Sequence, residues 1–108
     1  MIPQVTPSEV VRWRADPNRP APLLLDVRES WELAICAIDV AAAIPLGQLT
    51  SRVGELPQDR PIVCVCHHGA RSQYAAMILA RAGLPHVYNL RGGVAAWADE
   101  VDPSLARY

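Results

Sequence analysis

One segment of the sequence combines a cysteine with the features that make a cysteine reactive. The apolar run Ile62–Val65 predicts a buried strand, Cys66 follows it, and Arg71 stands where a helix should begin. Amides at a helix start, the helix dipole and an arginine side chain all favour a thiolate over a thiol. We therefore predict that Cys66 is a nucleophile. The loop that follows it is predicted to bind an anionic substrate through His67, His68, Gly69, Ala70, Arg71 and Ser72.

The length of this loop distinguishes two kinds of cysteine chemistry. Four residues separate Cys66 from Arg71, one fewer than in cysteine-dependent phosphatases, whose loop surrounds a tetrahedral phosphate. Because a shorter loop forms a smaller cradle, it fits a terminal sulfur on Cys66 better than a phosphoryl group. The spacing favours sulfur transfer over a small phosphatase or arsenate reductase. Counting from Cys64 gives six residues, which fits neither chemistry.

Four motifs, taken together and in this order, resemble a known family: LLDVRE at residues 24–29, IP at 44–45, CHHGARS at 66–72 and LRGGVAAW at 90–97. The family is that of the single-domain rhodaneses, which are sulfurtransferases, and the resemblance covers roughly residues 4–100. It implies an α/β rhodanese-like fold with a mainly parallel sheet of about five strands and helices on both faces. The chain departs from the family at residues 36–41, where two glycines and a histidine are missing.

The resemblance also implies a mechanism. Cys66 would take a sulfane sulfur from a small anionic donor such as thiosulfate and carry it as a persulfide held by the amides of residues 67–72. A thiol or a protein cysteine would accept the sulfur, with no metal and no organic cofactor. Arg71 would bind the donor or orient the loop, and Asp26 and Arg28 would support the loop by hydrogen bonds. A persulfide relay that serves one partner protein is the alternative function.

The three cysteines and the arginine of the loop also have structural interpretations. Arg71 can pair with a buried acid, either Glu32 or Asp26, and this role is compatible with binding a substrate. Cys64 is expected in the core. Packing is favoured for Cys36 too, although Cys36 could resolve a persulfide or a sulfenate. We expect Cys64 and Cys66 to point to opposite faces of their strand. An odd number of cysteines argues against a disulfide framework.

Two further groups of residues suggest sites that we do not favour. His67 and His68 beside cysteines resemble a metal site, but zinc sites usually need a second, distant pair of ligands, so we predict no metal. The histidines are expected to contribute backbone amides to the loop and to shape its rim. Trp31 and Trp97 are interpreted as buried or half-buried packing residues.

The rest of the sequence predicts elements that would position this loop. Strands are predicted at residues 2–5, 23–25, 62–66 and 87–90, with a short apolar stretch at 39–44. Helices are predicted from a cap at Thr6 or Ser8 to about residue 15, and at 29–37, 48–56, 71–82 and 94–101. Alternation of strands and helices indicates an α/β domain with a mainly parallel sheet, whose sites lie beyond the carboxyl ends of the strands.

Length and composition limit the classes of protein that remain. The chain has 108 residues, which suits one domain with a core at about residues 4–100 and a tail at 102–108. Its net charge of −1 offers no basic surface for nucleic acid. It has no apolar run of transmembrane length and no signal peptide, so we expect no membrane association and a cytoplasmic location.

Overall fold

Two short apolar runs form the centre of a parallel sheet. The computed structural model describes residues 1–39 and 42–108. All strand pairs are parallel, in the spatial order β1-β5-β4-β2-β3. The strands are β1 Gln4–Val5, β2 Leu23–Asp26, β3 Ala42–Ala43, β4 Ile62–Val65 and β5 Val87–Leu90. The predicted α/β fold with a five-stranded parallel sheet is confirmed.

Helices cover both faces of this sheet, as predicted. The helices are α1 Pro7–Ala15, α2 Ser30–Ile35, α3 Leu49–Arg52, α4 Ala70–Arg81 and α5 Gly93–Glu100, with 3₁₀ turns at Leu46–Gln48 and Val53–Glu55. One core lies between the sheet and α3 and α4, and includes Leu25, Cys64 and Leu79. The other lies against α1 and α5, and includes Val63 and Trp97. Strands buried on both faces explain the uninterrupted apolar runs.

Most element boundaries lie within one residue of the prediction. The strand predicted at residues 2–5 begins only at Gln4, and two helical segments differ more. The predicted helix at 29–37 ends at Ile35, because the Cys36 backbone is extended. The predicted helix at 48–56 is a single α-turn between two 3₁₀ turns. Val40 and Ala41, part of the predicted stretch at 39–44 and of the divergent segment at 36–41, lie outside the described residues.

The expectation that Cys64 and Cys66 face opposite sides of the sheet is wrong. Both side chains belong to the core beneath α3 and α4, whereas Val63 and Val65 belong to the other core. Side chains alternate along a strand with a period of two, so residues two positions apart share a face. The three cysteines are free and buried. No helix in the described part of the chain is long and apolar enough to cross a membrane.

Candidate active site

The predicted site residues meet where β2 and β4 end. Asp26 and Val65 are paired in the register of these strands, and the Val27 amide continues the ladder by donating to the Val65 carbonyl at 2.9 Å. Cys66 follows directly at the carboxyl edge of the sheet, where parallel α/β folds place their sites. Two segments far apart in sequence, the LLDVRE motif and the CHHGARS loop, therefore lie side by side.

The sulfur of Cys66 lies inside the loop that follows it. Cys66 is 1% exposed. The Gly69 amide donates a hydrogen bond to Cys66 Sγ at 3.0 Å, and Ser72 Oγ lies 3.2 Å from the same sulfur. Gly69 has a φ of 108°, a left-handed conformation that glycine adopts without strain, and it precedes α4. Among the described residues, Gly69 is the one loop residue whose amide donates to this sulfur. The role expected for the amides of residues 67–72 in holding the outer sulfur of a persulfide stays a prediction.

The start of α5 closes the other side of the loop. The amides of Val94 and Ala95 donate to the carbonyl oxygens of Cys66 and His67, at 2.9 and 3.1 Å. A Cβ atom on Gly93 would overlap both carbonyl oxygens. The second glycine of the LRGG motif is thus required because two main chains approach closely at this point.

Arg71 forms a two-pronged ion pair with Glu32 of α2. Arg71 Nη1 and Nη2 donate to Glu32 Oε1 and Oε2 at 2.6 and 2.7 Å. Of the two acids that could have paired with Arg71, the structure places Glu32 there. Glu32 is 2% exposed, and the bonds from Arg71 lower the pKa of its carboxyl group to about 2. The same pair raises the pKa of the Arg71 guanidinium, so both groups stay charged at neutral pH.

Asp26 and Arg28 form a second, fully buried ion pair. Arg28 Nε and Nη2 donate to the Asp26 carboxylate at distances of 2.8 to 3.0 Å. Arg28 Nη2 also donates to the Cys36 carbonyl oxygen at 2.8 Å, and Nη1 lies 3.7 Å from Cys36 Sγ. This pair ties the end of β2 to the residue that follows α2. The pair gives Cys36 a packing environment, and the support of the Cys66 loop expected from Asp26 and Arg28 stays a prediction.

Three aromatic rings lie in a row beside the loop. His67 stacks on Tyr108 with ring centres 3.8 Å apart, and on His68 with centres 3.9 Å apart. The Tyr108 hydroxyl donates to Glu32 Oε2 at 2.7 Å and accepts from Arg28 Nη1 at 3.0 Å. A pocket of about 190 Å³ opens beside these rings and the first turns of α5, and the Cys66 sulfur does not line it. Burial lowers the pKa of His67, so its ring is uncharged at neutral pH.

Sequence reasoning missed two residues beside the loop, Asn89 and Tyr108. Asn89 of β5 accepts a hydrogen bond from Ser72 Oγ at 2.5 Å, and Tyr108 joins both ion pairs. The polar Asn89 in the buried strand VYNL was the available signal, since a buried amide needs partners.

Trp97 is 5% exposed, as predicted, but Trp31 is 62% exposed, and its predicted burial is wrong. The Trp31 ring contacts Tyr108 edge-on at the surface and belongs to neither core. No cluster of three or more possible metal ligands occurs among residues 1–39 and 42–108.

Fold and sequence comparison together define the class of this protein. The family model described as Rhodanese-like domain matches residues 6–100, and the chain belongs to this family. It is 40% identical over 84 residues to a protein of Allochromatium vinosum named Sulfurtransferase, covering 78% of each chain. A rhodanese-related protein of Thermoplasma volcanium has a similar solved structure, with a TM-score of 0.82, 27% identity, and 92% and 93% of the two chains covered.

A longer relative contains a similar sequence as one part. The chain is 37% identical over 106 residues to the probable adenylyltransferase/sulfurtransferase MoeZ of Mycobacterium tuberculosis. The match takes in 96% of this chain but 26% of MoeZ, so the chain spans about a quarter of that relative's length.

Proposed function

We propose that this protein is a sulfurtransferase that carries a sulfane sulfur as a persulfide on Cys66. The Cys66 thiolate attacks the outer sulfur of a donor such as thiosulfate, a new S–S bond forms, and sulfite leaves with the electrons of the broken S–S bond. A thiol or protein cysteine then attacks the terminal sulfur and releases the Cys66 thiolate. Neither of these two steps needs a metal or an organic cofactor. The expected cytoplasmic location stays a prediction.

The single observation that carries this proposal is the position of the Cys66 sulfur. It lies at the carboxyl end of β4, accepts a hydrogen bond from the Gly69 amide at 3.0 Å, and faces the first turn of α4. A negative charge on sulfur is favoured there by the amide and by the helix dipole. Cys64 lacks these partners, and its complete burial raises the pKa of its thiol to about 12. Cys64 is therefore a core residue and Cys66 is the proposed nucleophile.

The other residues of the loop have different proposed roles. Gly69 and Ser72 contact the sulfur directly, Ala70 begins α4, and His67 and His68 form the wall of the adjacent pocket. Arg71 is held by Glu32, which favours its structural role in fixing the loop. The side chain of Arg71 is still 38% exposed, so it can also attract an anionic donor.

Thiosulfate:cyanide sulfur transfer by three proteins tests the proposal. Cys66→Ser is expected to reduce transfer to the uncatalysed rate, because a serine hydroxyl cannot form a persulfide. Cys64→Ser is the matched control, with activity per folded molecule near that of the wild type. Equal transfer by the wild type and Cys66→Ser would show that Cys66 is not the carrier.

A relay function is the second candidate, and the MoeZ comparison favours it. There, a similar sequence makes up about a quarter of a protein named both adenylyltransferase and sulfurtransferase. A relay would receive its sulfur from, or pass it to, a protein partner. Intact mass after incubation with a persulfide donor should show one added sulfur with either function. Slow thiosulfate turnover combined with rapid transfer to a protein thiol would favour the relay.

The phosphatase and arsenate reductase alternatives remain less favoured. Hydrolysis of an aryl phosphate that disappears in Cys66→Ser would reverse this ranking. We expect none, because the loop has four residues between Cys66 and Arg71, and Arg71 is already occupied by the Glu32 carboxylate.

A further inference from the structure

A chain of side-chain hydrogen bonds leads from Cys66 to the surface. Ser72 Oγ lies 3.2 Å from Cys66 Sγ and 2.5 Å from Asn89 Oδ1, and Asn89 Nδ2 donates to Gln4 Oε1 at 2.8 Å. Ser72 and Asn89 are 0% and 3% exposed. Buried polar atoms must find partners within the protein, so the direction of each hydrogen bond follows from which atoms can donate.

Main-chain carbonyl groups fix the orientation of both amides. Asn89 Nδ2 also donates to the Gly69 carbonyl oxygen at 3.2 Å, and Gln4 Nε2 donates to the Ile2 carbonyl oxygen at 3.2 Å. A carbonyl oxygen only accepts, so neither amide can be turned over without setting oxygen against oxygen. Asn89 Oδ1 must therefore face Ser72.

The orientation of Asn89 decides where the single hydroxyl hydrogen of Ser72 points. Asn89 Oδ1 only accepts, so the Ser72 hydroxyl donates to it. The lone pairs of Ser72 Oγ then face Cys66. This contact suits a thiol S–H and acts against the stabilisation that the Gly69 amide and the α4 dipole give to a thiolate. If Ser72 turned its hydrogen to the sulfur, Asn89 Oδ1 would lose its donor while buried, which has a free-energy cost.

We infer that Asn89 is a positioning residue that holds the Ser72 hydroxyl away from Cys66 and so limits the fraction of Cys66 present as thiolate. This rests on the proposed role of Cys66 as the nucleophile. When Cys66 loses its proton to solvent, the Ser72 hydroxyl rotates, and its bond to Asn89 is replaced by a bond to the negative sulfur. No electrons are transferred in this step. Ser72 and Asn89 thus form a hydrogen-bond switch. The Ser72 hydroxyl donates to Asn89 when Cys66 is a thiol and to the Cys66 sulfur when Cys66 is a thiolate.

The charged and titratable groups around Cys66 lie on α2, α4, β4 and the loop itself. Arg71 of α4 is paired with Glu32 of α2, and Cys64 lies two positions back on β4. His67 and His68 follow Cys66 directly. None of these groups bonds to Asn89, so a change at residue 89 acts on the sulfur through Ser72 and Gly69.

A double-mutant cycle distinguishes an effect through Ser72 from an effect through Gly69. It compares the wild type, Asn89→Leu, Ser72→Ala and the double variant. Thiolate absorbance is recorded against pH for each protein, minus its Cys66→Ser counterpart, so that only Cys66 contributes. Asn89→Leu is expected to lower the pH midpoint by about one unit, which is about tenfold more thiolate at a fixed lower pH, because the freed hydroxyl donates to sulfur. In the Ser72→Ala background the same change should leave the midpoint in place. An equal shift in both backgrounds, or none in either, would overturn the inference.

A measurement on the unaltered side chains decides the matter if Asn89→Leu does not fold. In ¹⁵N-labelled wild type, the NMR signals of the Asn89 side-chain amide should move with pH, with the midpoint of the Cys66 thiolate. The movement should vanish in Ser72→Ala and in Cys66→Ser, whereas Gln73→Met, which alters the exposed end of the chain at Gln4, should preserve it. Signals that do not move with pH in the wild type would contradict the inference. Because these readouts need no sulfur transfer, they distinguish its failure from failure of the proposed function.

Discussion

Cys64 in β4 and Cys66 just after it differ both in their position relative to the loop and in their contacts. Distance along the chain to Gly69 and Arg71 was enough to predict Cys66 over Cys64. Sequence also predicted Glu32 as one of two partners for Arg71, but could not choose between the acids. Asn89 could not be predicted as a partner, because it reaches Ser72 from a strand 17 residues further on. At the residue scale, the sequence indicates the candidate nucleophile and a possible partner of Arg71, whereas Asn89 and Tyr108, which approach from distant elements, carry no signal of their partners.

The buried Glu32 carboxylate makes stability depend on pH. Its pKa is lowered from 4.5 to about 2 by the bonds from Arg71. A carboxyl group with a lowered folded-state pKa stabilises the protein above its unfolded-state pKa, and this contribution is lost as pH falls toward the folded-state value. We expect the free energy of unfolding of the wild type to fall more steeply between pH 4.5 and about 2 than that of Glu32→Gln, by up to about 1.4 kcal/mol per pH unit.

Urea unfolding of both proteins at intervals across this pH range measures the difference. The wild type should be the more stable at pH 7, and the two curves should converge in acid. Parallel curves would show that Glu32 is not held ionised by Arg71.

At the scale of elements, the strands and the long helix α4 follow from local sequence, and the ends of α2 and α3 do not. The apolar runs of β2 and β4 and the alanine-rich α4, which is followed by Gly83 with a φ of 98°, carry strong local signals. The end of α2 is set by the Cys36 carbonyl, which accepts from the buried Arg28. That contact joins residues from two loops, so no local pattern contains it.

The junction between α5 and the Cys66 loop gives a sharp test at this scale. Gly93→Ala is expected to destabilise the protein by more than about 2 kcal/mol, because the new Cβ would overlap the carbonyl oxygens of Cys66 and His67 and because φ is positive there. Sulfur transfer should fall as well, since the overlap displaces the loop. Urea unfolding and the thiosulfate assay measure the two effects.

Gly54→Ala is the matched control. Nothing lies within 4 Å of a Cβ atom built on Gly54, and its φ is not positive. Its free energy of unfolding should stay within about 0.5 kcal/mol of the wild type. A loss equal to that of Gly93→Ala would show that the close approach of α5 to the Cys66 loop does not explain the destabilisation.

At the scale of the whole molecule, the segment 102–108 returns to the site from beyond the family match at residues 6–100. Leu105 packs against the core beneath α1 and α5, and Tyr108 contacts Arg28, Glu32 and His67. The sequence predicted a tail but not these contacts, because no local sequence pattern indicates which residues the side chain of Tyr108 would contact. The organisation of all 108 residues as one domain stays a prediction.

Removal of one oxygen atom tests what the tail contributes. Tyr108→Phe keeps the ring stacked on His67 but removes the hydroxyl that joins Glu32 and Arg28. We expect a loss of about 1 to 2 kcal/mol in the free energy of unfolding, since hydrogen bonds to charged groups are involved. Tyr74→Phe, at an exposed tyrosine of α4, is the control and should change it by less than about 0.5 kcal/mol. Similar values for both variants would mean that Tyr108 does not brace the ion pairs.

The hydrogen bonds around the Cys66 loop also set an order of assembly. The carbonyl oxygens of Cys66, His67 and Gly69 accept from Val94, Ala95 and Asn89, all of which follow the loop in sequence. Cys66 precedes all three of these partners in the sequence, so synthesis from the N-terminus makes the cysteine first. A chain that lacks β5 and α5 has the contacts of Cys66 with Gly69 and Ser72 in its sequence but not the groups that hold the loop from the other side, so the environment proposed for the nucleophile is complete only once both elements have been added.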